Sequence, residues 1–224
     1  MDRKQIFNKF RRIFEPILLV RSYFTIHCLG GGRALIKGRC HSLFAKCYIS
    51  VSGRNNIITF GDMCQIRNTH IIINGNNNII NLGALCYIDG VSICIEDSNN
   101  TISIGRHCYI HNNTEISAIE GTEIRIGEDC LFSSDIIVRT GDSHSIIDVK
   151  TNKRINASQN ITLGEHVWVG KRAMILKGSN IGPNSVVGAG AIVTKASEYQ
   201  NNCVLAGIPA RVIKNEINWM HIRS

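Results

Sequence analysis

His144 is the residue to consider first. It follows Gly141-Asp142-Ser143 in a polar stretch. A neutral imidazole there can take a proton near neutral pH, which is the task of a general base. Asp142 and Asp148 are the nearest carboxylates that could orient its ring, and either could equally be a solvated loop charge. Trp168 lies 24 residues further on, directly after the aliphatic Val167. If Val167 faces inward, strand alternation turns the indole outward, where an aromatic face can stack on a ligand.

Other residues of chemical interest read more blandly. His70, His107, His111 and His166 are scattered. His107 and His111 are four apart, and no matching third histidine with a glutamate stands out, so no metal site is expected. The chain has nine cysteines but no CxxC pair and no cleavable leader, which argues against a disulfide framework. Cys64, Cys86, Cys108 and Cys130 are 22 apart, and Cys47 sits in a similar LFAKCYI context. In a coiled chain they would stack as one column of small buried thiols rather than serve as nucleophiles.

The elements that must hold His144 and Trp168 follow from a six-residue period. Leu163, Val169, Ile175, Ile181, Val187 and Val193 recur every sixth position, usually before a small residue. That period fits neither an amphipathic helix nor a single strand. It fits a chain that makes a short strand, turns a corner and repeats, as in a parallel β-helix of hexapeptides. Upstream, FGDMCQI, LGALCYI, IGRHCYI and IGEDCLF start at Phe60, Leu82, Ile104 and Ile126, 22 residues apart. Each coil thus carries four residues more than three hexapeptides need. The surplus falls in polar turns such as SGRNN, NGNNN and EDSNN, where Asn and Gly tolerate a left-handed backbone. The step from Ile126 to Leu163 is longer still, because the loop 141–159 interrupts the coil and carries His144.

The run VWVGKRAMILKGSNIGPNSVVGAGAIVTK, the later AGIPARVI and the upstream GDSH together resemble the hexapeptide-repeat acyltransferases. The likeness is nearest to O-acetyltransferases of sugars, including sialic acid and capsular polysaccharides. Its strong part spans about residues 126–214, with weaker repeats back to about residue 43. The resemblance implies an all-β fold, a left-handed parallel β-helix with an N-terminal helix and a short C-terminal tail. The left hand comes from the resemblance alone, since parallel crossovers are otherwise nearly always right-handed. It also implies a homotrimer with each site between two subunits, and acetyl-CoA as donor. His144 resembles the family's catalytic histidine, and Trp168 the tryptophan bordering its active site. Gly170 and Lys171 match the place where a backbone N–H faces the thioester. Gly188 and Ala189, with Gly190, match the small residues along the pantetheine arm. Thr194, Lys195 and Arg211 match positions near the adenine and phosphates, with Lys214 weaker. The linker SEYQNN after Lys195-Ala196 departs from the family pattern, in which an acidic residue and prolines are common.

These observations divide the chain into an N-terminal capping segment (1–42), a repeat body (43–210) and a tail (211–224) expected to cover the coil's other end. Within residues 2–22, Ile6, Phe10, Ile13, Phe14, Ile17 and Leu18 share one helical face amid basic residues. That segment either caps the coil or lies on an anionic membrane surface. The net charge of +8 suits coenzyme A or an acidic sugar. Its scattered distribution, without an aromatic-rich basic motif, does not suit nucleic acid. The expected protein is a cytoplasmic O-acetyltransferase of a surface sugar, acting at the inner face of the membrane if residues 2–22 bind lipid. The alternatives are an N-acetyltransferase on a nucleotide-linked amino sugar, a metal-dependent hydratase and a silent scaffold.

Overall fold

The computed structural model describes residues 26–29, 32–195 and 198–222. The amphipathic segment 2–22 lies outside them. Each coil passes through three parallel sheets, here called A, B and C. One coil, for example, runs through His70–Asn74 in sheet A, Ile79–Leu82 in sheet B and Tyr87–Asp89 in sheet C, then re-enters sheet A at Val91–Ile95. The fold is therefore the all-β parallel solenoid expected of a β-helix, with sheets of eight, eight and nine strands. The coil already runs at Ile26–Leu29 and Ala34–Lys37, ahead of the expected start at residue 43.

In-register stacking makes the core. Ile49, Ile71, Ile93, Ile116, Val138, Ile175 and Val193 form one inward column on sheet A, each at most 3% exposed. β-Branched residues suit such a stack because their few rotamers cost little entropy to fix. Coil length drops after the loop 141–159. Phe60, Leu82, Ile104 and Ile126 pair 22 apart, whereas Leu163 pairs with Ile181 only 18 on. The extra residues of the longer coils gather at the A–B edge, where Asn55, Asn77 and Asn99 take positive φ. Two asparagine ladders follow there. Asn55 Nδ2 donates to Asn77 Oδ1, and Asn77 Nδ2 to Asn99 Oδ1, both at 3.2 Å. The buried Asn56, Asn78 and Asn100 instead use Oδ1 to accept the backbone N–H one coil on, at 2.8–3.0 Å.

The B–C edge explains the cysteines. Cys64, Cys86 and Cys108 are buried, and each thiol donates to the carbonyl of the glycine in the next coil at 3.1 Å. The neighbouring thiol, with burial, pushes all three upward in pKa, Cys86 to about 12. They stay protonated and are poor nucleophiles. Cys47 does not belong to that column. It opens a sheet A strand, a third of a turn away, because it lies 17 residues before Cys64 rather than 22. Cys203 does belong, stacked on Ser185. The glycines preceding the column have no alternative: a Cβ on Gly105 would meet the Glu128 backbone nitrogen at 2.6 Å. Gly105→Ala should destabilise the protein by about 1–3 kcal/mol, read as a lower urea midpoint.

Candidate active site

The loop 141–159 leaves the coil at the A–B edge, between Ile137–Arg139 of sheet A and Ile161–Leu163 of sheet B. That is also where the lengthened coils give way to short ones. The loop is a folded hairpin. Ile155 N–H donates to the Ile146 carbonyl at 2.9 Å, and Ile147 bridges Arg154. Asp148 closes the tip by accepting from the Lys150 and Thr151 amides at 3.0 and 2.7 Å. Those bonds, the Thr151 amide first, hold its carboxyl below the usual range.

Asn156 fastens the root. It is 7% exposed, and its amide is fully used. Nδ2 donates to the His144 carbonyl and to Asp142 Oδ2, both at 2.8 Å. Oδ1 accepts from the Ile146 amide at 2.7 Å and from Arg154 Nε at 3.1 Å. Lys177, one coil on, pairs with Asp142 and donates to the Asn156 carbonyl at 3.0 Å. The Lys177 ammonium, then Asn156, hold the Asp142 carboxyl low. Arg154 pairs with Glu120 at 2.6 Å, and Arg139 Nη2 holds Ser143 Oγ at 3.0 Å. The backbone on both sides of His144 is therefore clamped, while its exposed ring has no hydrogen-bond partner among the described residues. Neither Asp142 nor Asp148 orients that ring within the chain. Asp142 is spent on Lys177 and Asn156, and Asp148 on its own turn.

Trp168 does face outward, 41% exposed on sheet C, flanked along the sheet by Leu131 and Val186. Sheet C is opposite the A–B edge in a three-sided coil, so one chain does not bring Trp168 and His144 together. The donor-side candidates also separate. Gly170, Lys171, Gly188 and Ala189 stack at the C–A edge, where Gly190 N–H donates to the Lys171 carbonyl at 2.8 Å. Thr194 and Lys195 follow sheet A on the A–B edge, with Lys195 packed over Gly178. Arg211 lies on Ala210–Lys214, which pairs antiparallel with Val204–Gly207.

One role implied by resemblance does not fit, that of the Gly170 amide. The Gly170 N–H is committed to the Val187 carbonyl at 2.8 Å, so it cannot face a ligand. Gly170 is small because a Cβ would meet the Ala189 nitrogen at 2.7 Å. The amides of Lys171 and Ala189 have no acceptor among the described residues, which leaves them the available donors on this edge. The corner they belong to is open outward, since a Cβ on Gly190 would meet nothing within 4 Å. A groove of about 540 Å³ continues along sheet A from this edge, lined in part by His70, Ser92, Glu115 and Asp135. Asp135 faces Lys171 Nζ at 3.5 Å.

Residues 160–195 match the family model for the bacterial transferase hexapeptide (six repeats). The chain thus resembles the hexapeptide-repeat acyltransferases in repeat and in fold. Among individual proteins, it is 38% identical over 96 residues to the polysialic acid O-acetyltransferase of Escherichia coli O1:K1 / APEC, covering 43% of this chain and 31% of that one. It is 36% identical over 103 residues to the galactoside O-acetyltransferase of Escherichia coli K12, covering 46% and 49%. These matches span a third to a half of the curated relatives. The structural likeness reaches further. The polySia-specific acetyltransferase NeuO superposes with a TM-score of 0.80 at 29% identity over 88% of each chain. The polysialic acid O-acetyltransferase OatWY does so at 0.69 and 28%, over 88% of this chain and 92% of that one.

Two consequences of the loop geometry are testable. Asn156→Ala should raise amide exchange across residues 142–147 and lower turnover about tenfold, with unfolding of the coil little changed, because it frees the backbone beside His144. The second concerns acid. Arg154, then Ser158, lowers the Glu120 carboxyl to about 2. Its stabilising contribution is complete above the ordinary value of about 4.3 and disappears as pH falls toward the folded value. Protection of the loop amides, corrected for intrinsic exchange, should therefore be flat from about pH 7 to 5 and fall only below about 4, and Glu120→Gln should reduce that fall, leaving the part that Asp142 and Asp148 contribute.

Proposed function

We propose that the protein is an acetyl-CoA-dependent O-acetyltransferase acting on a sugar hydroxyl of a bacterial surface polysaccharide or its precursor, with polysialic acid the first acceptor to test. The observation that carries this reading is the likeness to NeuO over 88% of both chains. The clamped loop with its unpartnered His144 imidazole supports it.

Acetyl-CoA, as donor substrate, supplies the activated carbonyl. The Nε2 or Nδ1 lone pair of His144 takes the proton from the acceptor hydroxyl as its oxygen attacks. The Lys171 amide is the donor suited to the negative charge that develops on the carbonyl oxygen. When the C–S bond breaks, His144 returns its proton to the departing sulfur, so the imidazole ends neutral. No acyl-enzyme is required, in keeping with protonated, buried thiols. Gly188 and Ala189 offer the pantetheine arm a surface without projecting side chains. Lys195 and Arg211 offer charge to phosphates, with Thr194 beside them. Trp168 gives the acceptor ring or the arm an aromatic wall.

A homotrimer, with each site between two subunits, completes the reading. His144 and Trp168 lie on opposite parts of one coil, so a shared site needs a second chain. The hairpin also carries Ile146, Ile147, Val149 and Ile155 on its surface, with Val149 99% exposed. Apolar side chains on a projecting arm suit burial against a neighbouring copy. The protein would work in the cytoplasm, at the inner face of the membrane if residues 2–22 bind anionic lipid. Among the described residues no helix is long and apolar enough to cross a membrane. The carboxylates of the sheet A groove do not complement a polyanion, so an acidic acceptor would approach from the loop side.

The test is mass spectrometry of products from sialic acid, polysialic acid, neutral hexoses and amino-sugar nucleotides incubated with acetyl-CoA. An alkali-labile acetyl group should appear on one sugar. His144→Ala should lower kcat about 100- to 10,000-fold, and Trp168→Ala should lower kcat/KM about 3- to 10-fold. An alkali-stable amide on an amino sugar would replace the reading with N-acetylation. Failure of the intact protein to bind acetyl-CoA would remove the transferase reading altogether.

A further inference from the structure

The B–C edge holds a cluster that the proposed chemistry does not use. At each turn there, the residue before the core column takes a left-handed backbone, including His107, Asp129 and His166 with φ of 54–57°. Their side chains stack along the edge in that order. After Ala210–Lys214, which adds the outermost strand of sheet C, the C-terminal tail runs back down the same edge. Ile217 exchanges hydrogen bonds with Asn202 at 2.9 and 3.0 Å. Trp219 lies flat on the His166 ring, centroids 4.1 Å apart and planes 10° from parallel. Its indole N–H donates to the His166 carbonyl at 2.8 Å, and its carbonyl faces His166 Nε2 at 2.9 Å. Two residues on, His221 Nε2 comes within 3.4 Å of Asp129 Oδ1.

We propose that Asp129, His166 and His221 form a binding site for one divalent transition-metal ion of the zinc type, closed by the C-terminal tail. Their ligand atoms all lie within 4.8 Å of one another. Ligand atoms on a tetrahedral zinc are about 3.3 Å apart, given bonds of about 2.0–2.1 Å. Asp129 Oδ1 lies 3.4 Å from His221 Nε2 and Oδ2 lies 2.7 Å from His166 Nδ1, so a turn of the carboxylate brings one oxygen between both nitrogens. A carbonyl only accepts, so the Trp219 carbonyl fixes the His166 proton on Nε2. Nδ1 is then the nitrogen that faces Asp129, and its lone pair becomes available to an ion once the proton in that 2.7 Å contact is displaced. An outer hydrogen bond such as that to the Trp219 carbonyl is the usual partner of a metal-binding imidazole.

Asp129 is prepared in the same way. His107 Nδ1 lies 2.6 Å from its Oδ1, and the Tyr109 hydroxyl lies 3.3 Å from His107 Nε2. With the hydroxyl donating to Nε2, Nδ1–H donates to the carboxylate and sets its plane. Only one proton stands between Asp129 Oδ2 and His166 Nδ1. A metal ion would take its place and release it. Two nitrogens and one carboxylate oxygen leave a fourth position for water, and the ligand set favours zinc or cobalt over calcium or magnesium. The site is a sheet's width from the His144 loop, so it stands independently of the transferase reading.

The experiment is titration of untagged, metal-stripped full-length protein with Co²⁺, followed by visible absorption. One equivalent per chain should give the d–d bands of tetrahedral nitrogen and oxygen ligation, and Zn²⁺ should bleach them. His221→Ala, an exposed position that leaves the Trp219 anchor in place, should weaken binding at least tenfold, judged against the 10- to 100-fold typical for losing an outer-shell partner. Asp129→Asn should do the same, and His144→Ala should leave it unchanged. Absence of visible bands, an intense thiolate charge-transfer band, or full binding by His221→Ala would each overturn the proposal.

Discussion

Stacking of each coil on the next governs the rest of the structure. In a parallel coil every position has a neighbour one turn above and one below, about 4.8 Å away. A residue is therefore chosen less for its own segment than for its column. Isoleucine suits the sheet A column because identical branched side chains nest. Cysteine suits the B–C column because a thiol is small and can still donate to a carbonyl in the next coil. Glycine suits the corner because any Cβ there would enter the backbone of the following turn. Asparagine suits the A–B edge because its carbonyl oxygen can cap the amide one coil away. The buried asparagines pair along the coil axis, the direction in which the strands hydrogen-bond to one another.

The same rule explains what could be read from sequence. A column repeats at the coil length, so Cys64 to Cys130 and Asn56 to Asn100 declare by spacing that they stack, but not that they are buried, since Asn55, Asn77 and Asn99 keep the same spacing and are exposed. The outward face of Trp168 followed from its place after Val167. Cys47 was misplaced because its local context imitates the column while its spacing does not. Contacts that bypass the repeat were illegible. Asn156 and Lys177 hold the His144 loop across 21 residues, and no period connects them. Asp142 looked available for His144 because proximity in sequence does not disclose a lysine on the next coil. Likewise, the turn chemistry at Thr151 that occupies Asp148 lies within the loop and has no counterpart in any coil. The histidines of the B–C edge were half legible. His107 and His166 occupy the same slot before the core column as Asp129, but nothing in that pattern announces that a tail 55 residues later supplies His221.

The A–B edge shows how a repetitive scaffold makes an exceptional site. The long coils build a ridge of polar corners from Asn55 to Glu120, and the short coils beyond it have none. His144 stands where the ridge stops. On one side its loop is braced by Glu120 at the end of the ridge, and on the other by Lys177 from the first short coil. Both braces depend on this discontinuity, because a uniform coil would place like residues above and below the loop. The change in coil length thus gives the hairpin two different walls, and ion pairs of opposite sense fix it between them. A glutamate below pairs with a loop arginine, and a lysine above pairs with a loop aspartate.

That arrangement also accounts for why the imidazole is left without a partner. Asp142, Asp148 and Glu120 are each committed to partners that brace the loop, so the position of His144 is set by its neighbours rather than by its own hydrogen bonds. In its proposed role as base, an imidazole placed in that way loses nothing when a hydroxyl arrives, since no existing bond to the ring must be broken first. Rigidity of the main chain and freedom of the side chain are then separate properties, supplied by different residues. The three edges divide the remaining tasks. The C–A edge exposes uncommitted amides, the A–B edge carries the histidine, and the B–C edge anchors the tail. Because a three-sided coil cannot turn two opposite parts toward one ligand, chemistry that needs both must be assembled by bringing another copy alongside.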